Sequence, residues 1–194
     1  LQARFGGRIR FFLSGSAPLS RDMAEFFHAA GILILEGYGL TETSPFASHN
    51  HECHYRDESV GTALAGVEIK VLGENGDALP PGELGEIAIK GPNVMKGYFN
   101  RPEETAEVIR DGWFLTGDIG KMDKDGYVYL VDRSKDMINV SGFKVWPREV
   151  EEVLSKHGAV IEAAVIGVPD SVAGEAVKAF IVLKKDAQLT EEEA

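Results

Sequence analysis

Apolar and polar positions follow three different rhythms along the chain, and each predicts a different kind of structure. Ile9 to Leu13 is a compact apolar run and reads as a short buried strand. Ser14-Gly15-Ser16-Ala17-Pro18 follows as a tight turn of small residues. Ser20 is placed to cap a helix running to Ala30, with Asp22 in its favourable first turn and Gly31 where a helix-ending glycine belongs. Ile32 to Leu35 then predicts a second strand that leads into Glu36-Gly37-Tyr38-Gly39. Strand, helix and strand over residues 1–50 imply part of a layered α/β unit.

The rhythm shortens after His51. Val67-Glu-Ile-Lys-Val71 and Gly85-Glu-Ile-Ala-Ile-Lys90 alternate with period two, punctuated by Asn75-Gly76 and Pro81-Gly82. Asp125-Gly126, between Lys121-Met122 and Tyr127-Val-Tyr-Leu-Val131, is a strong hairpin signal. One helix interrupts, starting near Pro102 and ending before Asp111-Gly112. Residues 51–131 are thus expected to form a small β-barrel or curled sheet. From Asp132 the pattern changes again. Met137 to Val140 and Lys144 to Trp146 read as strands around Ser141-Gly142. Pro147 opens a helix closed by Gly158, and Val160 to Val168 and Ala176 to Leu183 are two more strands. Residues 137–194 are expected to be a compact α+β unit, joined through 132–136.

Composition removes several classes. With 194 residues, the chain is long enough to bury a core without covalent staples. A net charge of −11 argues against nucleic acid as a partner, because phosphate neutralisation needs clustered Lys and Arg. One cysteine excludes an internal disulfide framework and fits a reducing, cytoplasmic setting. No apolar run reaches the roughly 20 residues of a membrane span. The first residue is Leu and the last residues, with acidic Glu191 to Glu193, read as a helix just beginning, so both ends are expected to be cuts within a longer protein.

The densest chemistry lies in Glu36-Gly-Tyr-Gly-Leu-Thr-Glu-Thr43. Glycines let backbone approach a ligand closely, an aromatic ring can stack on a base, a hydroxyl can bond a phosphate oxygen, and a carboxylate can hold Mg²⁺. Taken singly, each residue also fits a plain strand-to-loop turn. His49, His51, Cys53 and His54 are the residue types that bind Zn²⁺, but their spacing is not that of a finger, and a polar loop is the preferred reading. Asp123-Lys-Asp-Gly126 lacks the later Glu of a calcium loop and reads as a turn.

Tyr38-Gly-Leu-Thr-Glu42 resembles the Tyr-Gly-x-Thr-Glu motif of the adenylate-forming superfamily of acyl-CoA synthetases, peptide-synthetase adenylation domains and luciferases. Ser14-Gly-Ser-Ala-Pro18 resembles its adenine loop, and Gly112-Trp-Phe-Leu-Thr-Gly-Asp118 its ribose-binding motif. Asp132-Arg-Ser-Lys-Asp136, Ser141-Gly-Phe-Lys144 and Pro147-Arg-Glu-Val-Glu151 resemble its hinge and the start of its small C-terminal domain. The resemblance implies the end of a large α/β-plus-β-barrel domain, a hinge, and part of an α+β lid. It also implies ATP-dependent conversion of a fatty or aryl carboxylic acid to an acyl-adenylate, followed by transfer to CoA.

Residue by residue, the resemblance places Gly15, Ser16, Ala17 and Pro18 on the adenine edge, with Glu36, Gly37 and a stacking Tyr38 opposite. Thr41 bonds phosphate, Glu42 binds Mg²⁺, Asp118 accepts the ribose hydroxyls and Arg133 reaches ribose or phosphate. Lys135 marks the hinge, Gly142 lines the CoA tunnel, and His49 falls near the acyl pocket. Gly39-Leu-Thr-Glu42 and Met137-Ile-Asn-Val140 favour CoA ligases over peptide-synthetase domains, which usually carry Gly-Pro-Thr-Glu and Gln-Val-Lys-Ile.

The family's Pro-Lys-Gly phosphate loop and its C-terminal catalytic Lys have no counterpart in the chain, so this piece alone is expected to be inactive, at most a nucleotide-binding or scaffold unit. An exposed sheet edge predicts homo-oligomers. Peripheral membrane contact is left open by a fatty-acid substrate, although no amphipathic basic helix is present.

Overall fold

The computed structural model describes residues 2–17, 19–185 and 187. The chain divides into two compact units, with the division between Leu130 and Val131.

The first unit opens with a four-stranded sheet. Strand β1 (Phe11–Ser14) lies parallel to β2 (Leu33–Tyr38), with helix α1 (Arg21–Ala29) as the crossover. Helix α1 starts where the Ser20 hydroxyl accepts the Met23 N–H, and ends as Gly31 turns the chain, its N–H bonding to the His28 carbonyl. Two short antiparallel strands, β3 (Ser48–His49) and β4 (Thr62–Ala63), extend the sheet from β2. Residues 48–63 therefore join the first sheet, and the next sheet begins only at β5 (Glu68–Leu72).

That second sheet is a partial half-barrel. It contains β5, β6 (Gly85–Lys90), β7 (Ile109–Arg110), the long β8 (Trp113–Met122) and β9 (Val128–Arg133). The alternation in β6 predicts one buried face, yet Ile87, Ala88 and Ile89 are all fully buried. This strand is central, between β5 and β8, and the small Ala88 lets the second face close as well. Helix α2 (Pro102–Val108) ends as expected. Asp111-Gly112 is more than a helix stop: both residues have positive φ (53° and 79°) and form the two-residue turn joining β7 to β8. The core of the unit gathers Tyr38, Ala47, Val71, Ile87, Ile89 and Val128, and so draws on both sheets. Arg56 pairs with Asp123 and Asp125 and lies over the Tyr127 ring, fastening the loop before β4 to the β8–β9 hairpin.

The second unit is an antiparallel sheet in the order β11 (Phe143–Val145), β10 (Ile138–Val140), β13 (Gly174–Leu183), β12 (Val160–Asp170). Helix α3 (Pro147–Ser155) packs on β12, where Glu151 accepts the Val165 N–H at 2.8 Å. The β12–β13 hairpin is closed by Asp170, whose Oδ1 accepts the N–H groups of Val172 and Ala173 and whose pKa is lowered by those bonds. Helix α3 has no capping side chain at Trp146. Asp132 supplies one from afar, its Oδ2 accepting the Arg148 N–H at 3.1 Å. The expected helix start at Glu191 to Glu193 lies outside the described residues. Among the described residues, no helix is long and apolar enough to cross a membrane.

Asp132→Ala is expected to destabilise the second unit by about 1 kcal/mol through loss of this cap, with Asp132→Asn recovering most of it. Urea unfolding followed at Trp146, in a Trp113→Phe background, measures this. Equal midpoints for all three proteins would show that Asp132 does not cap α3.

Candidate functional site

Two loops and one bulge converge in the first unit. The turn after β1 passes directly against β2: a Cβ built on Gly15 would lie 3.2 Å from the Gly37 carbonyl oxygen. Ser16 accommodates this turn at a φ of 66°. Gly15, Ser16, Ala17, Glu36 and Gly37 are thereby on neighbouring backbone, whereas Pro18 lies outside the described residues.

Tyr38 is the last residue of β2 and is only 6% exposed. Its hydroxyl donates to Asp118 Oδ2 at 2.6 Å. Asp118 reaches that point because β8 is irregular there. Opposite β6, the pairings Leu115–Ala88 and Ile119–Glu86 leave Thr116, Gly117 and Asp118 facing a single residue, Ile87. The bulge is fixed on both sides: Thr116 Oγ1 donates to the Ile87 carbonyl and accepts the Asp118 N–H, and Glu86 accepts the Gly117 N–H. A bulge re-aims a side chain out of the pleat, and here it turns a carboxylate toward Tyr38. Tyr38 thus sits in the core of the unit with its hydroxyl committed to Asp118.

Thr41 and Glu42 sit on a one-turn 3₁₀ segment (Thr41–Thr43). Thr43 is fully buried and holds the segment closed, accepting the Leu40 N–H and lying within bonding distance of the Leu40 and Pro45 carbonyls. Thr41 is exposed and Glu42 half-buried. Two residues that the sequence did not single out support this loop. The Asn93 amide donates to the carbonyls of Thr43 and Phe46, and the Tyr98 hydroxyl donates to Glu42 Oε1 at 2.9 Å. Burial, then the bond to Glu42, raises the Tyr98 phenol above its ordinary pKa. Neither residue stands in a spacing pattern that would have marked it.

Arg133, Lys135 and Gly142 belong to the second unit and are described within it. Arg133 ends β9, and its N–H bonds to Asp132 Oδ1. Lys135 lies in a 3₁₀ turn, Ser134–Asp136. Gly142 occupies the two-residue β10–β11 turn with Ser141, at φ values of 90° and 52°. A left-handed turn position by itself accounts for glycine there. His49 lies in β3 with Nδ1 against the Asn50 carbonyl, and His51 and His54 bridge each other in a tight turn. Among the described residues, no group of three or more His, Cys, Asp or Glu is placed to hold a metal ion.

Residues 1–99 match the family model described as AMP-binding enzyme, and residues 149–194 match that of the AMP-binding enzyme C-terminal domain. The chain belongs to the AMP-binding enzymes. It is 47% identical over 180 residues to a long-chain-fatty-acid–CoA ligase of Salmonella typhimurium, which covers 92% of this chain and 32% of that protein. It is 44% identical over 176 residues to a feruloyl-CoA synthase of Amycolatopsis, covering 90% of this chain and 36% of that one. ATP-bound MatB from Rhodopseudomonas palustris superposes with a TM-score of 0.91 at 43% identity, over 98% of this chain and 38% of its own. The chain spans about a third of the length of these curated relatives. The adenylate-forming fold class expected from the motifs is that of this AMP-binding enzyme.

Tyr38→Phe removes the phenol's bond to a carboxylate and is expected to cost about 1–2 kcal/mol locally. Hydrogen exchange at the Thr116–Asp118 amides should accelerate accordingly. Unaltered exchange there would show that Tyr38 does not hold the bulge.

Proposed function

We propose that the whole protein carrying this chain is an ATP-dependent acid–CoA ligase. In the first step a carboxylate oxygen attacks the α-phosphorus of ATP and pyrophosphate leaves, giving an acyl-adenylate. In the second, the CoA sulfur attacks the acyl carbon, AMP leaves and the thiol proton passes to solvent. The observation that carries this reading is the Tyr38–Asp118 bond at 2.6 Å, which brings a bulge-borne carboxylate to the end of β2, beside the glycine turn after β1.

In this reading Gly15, Ser16, Ala17 and Pro18, with Glu36 and Gly37, frame the adenine, and Asp118 accepts ribose hydroxyls. Thr41, exposed on its 3₁₀ turn, bonds phosphate. Arg133 serves ribose or phosphate, Lys135 is the pivot of the hinge at 132–136, and Gly142 leaves room for the pantetheine arm.

Mg²⁺ is bound by one or two carboxylates together with substrate phosphates, and the half-buried Glu42, with one oxygen held by Tyr98, fits that role. The ion would supply charge compensation to the phosphates. The acid is a fatty or aryl one, as the names of the curated relatives indicate. A carrier-protein acceptor in place of CoA is the competing assignment.

The test is pyrophosphate release from the whole protein across fatty and aryl acids, followed by thioester formation on CoA and on a carrier protein. Acid-dependent release with a CoA product is expected, and its absence with every acid would end this reading. Glu42→Ala is expected to lower the first step by about 2.7–4 kcal/mol, or 10²–10³ in rate. A rate equal to the parent's would remove Glu42 from the mechanism.

A further inference from the structure

We infer that Tyr98 is a positioning residue for the Glu42 carboxylate, seated for that task by Thr105 of helix α2. The inference rests on the proposed role of Glu42 and extends it to residues that no resemblance assigned.

Tyr98 is held from its own backbone. Its N–H donates to Thr105 Oγ1 at 2.9 Å, and Thr105 Oγ1 in turn donates to the Arg101 carbonyl at 2.6 Å. The Tyr98 carbonyl accepts the Arg101 N–H at 3.2 Å, closing the turn into α2. Gly97 fits beneath this arrangement because it lacks a side chain: its φ is +149°, and a Cβ there would lie 2.7 Å from Thr105 Cγ2. From this seat the phenol donates to Glu42 Oε1 at 2.9 Å.

The same segment grips the Glu42 loop twice more. The Met95 N–H donates to the Glu42 carbonyl at 2.7 Å, and Asn93 donates to the carbonyls of Thr43 and Phe46 at 3.0 and 2.8 Å. Backbone and side chain of Glu42 are thus fixed by one stretch, residues 93–98. A lone flexible carboxylate samples many rotamers. One whose Oε1 is held by a fixed donor presents Oε2 in a defined direction, which favours a ligand that must also meet phosphate oxygens. The cavity lined by Glu42, Tyr98, Thr116 and Gly117 opens beside this pair and reaches the Asp118 bulge.

The test uses the whole protein and two readouts. First, Mn²⁺ binding to the complex with a non-hydrolysable ATP analogue is titrated by electron paramagnetic resonance. Tyr98→Phe, which keeps the ring and removes the donor, is expected to weaken Mn²⁺ about tenfold. Thr105→Ala should weaken it less, and Thr105→Ser should restore it. Second, the Mg²⁺ concentration for half-maximal ATP–pyrophosphate exchange should rise by a similar factor in Tyr98→Phe, with the rate at saturating Mg²⁺ changed less. Equal Mn²⁺ affinity in Tyr98→Phe and the parent, or failure of Thr105→Ser to differ from Thr105→Ala, would overturn the inference. A parent protein that catalyses no exchange with any acid would instead overturn the proposed function, and the two failures are told apart by the first titration.

Discussion

The hydrogen bond from Tyr38 to Asp118 ties the end of one sheet to the middle of another, across 80 positions of sequence. A polar contact of this kind is strong only when its partners cannot turn elsewhere. The fold ensures this by burying Tyr38 in the shared core and by pinning the Asp118 bulge through Thr116 and Glu86. The glycine turn after β1, the end of β2 and the bulge are then fixed with respect to one another before any ligand arrives. Preorganisation is the general means by which a site avoids reordering its own groups during binding.

Support is layered outward from the chemistry. Asp118 is held by a core tyrosine, and Glu42 by a tyrosine at the surface that is itself held by a helix. The two phenols do opposite kinds of work. Tyr38 belongs to the apolar interior and brings its hydroxyl to a carboxylate. Tyr98, 38% exposed, is held through its N–H by Thr105 Oγ1 and through its carbonyl by the Arg101 N–H. Helix α2 buries none of its residues, so its existence is explained better by the turn it braces than by a core it completes.

Much of the fold was legible because local signals agreed with the tertiary outcome. Ser20 and Gly31 bound α1, the Asp125-Gly126 turn joins two strands, and β6 runs over Gly85–Lys90. What escaped reading depended on partners far away in sequence. Nothing near Trp146 announces that Asp132 caps α3. Nothing in Gly85–Lys90 announces that a central position buries Ala88 as completely as its neighbours. The candidate site divides in the same way. Its glycines, Thr41, Glu42 and Asp118 stand in short contiguous strings. Asn93 and Tyr98 act through spatial contacts 47 to 56 positions away, which leave no periodicity to detect.

The contrast between the two units bears on the order in which the chain acquires its shape. In the second unit, β12 runs straight into β13 through a short Asp170-bounded turn, so its longest strand pair forms from chain neighbours. In the first, the contact between Tyr38 and the Asp118 bulge is in place only after loops of many tens of residues have closed. Closing long loops costs entropy before any contact repays it, and topologies of that kind fold slowly. The Tyr38–Asp118 contact therefore requires far more chain to be closed before it forms than does the hairpin of the smaller unit.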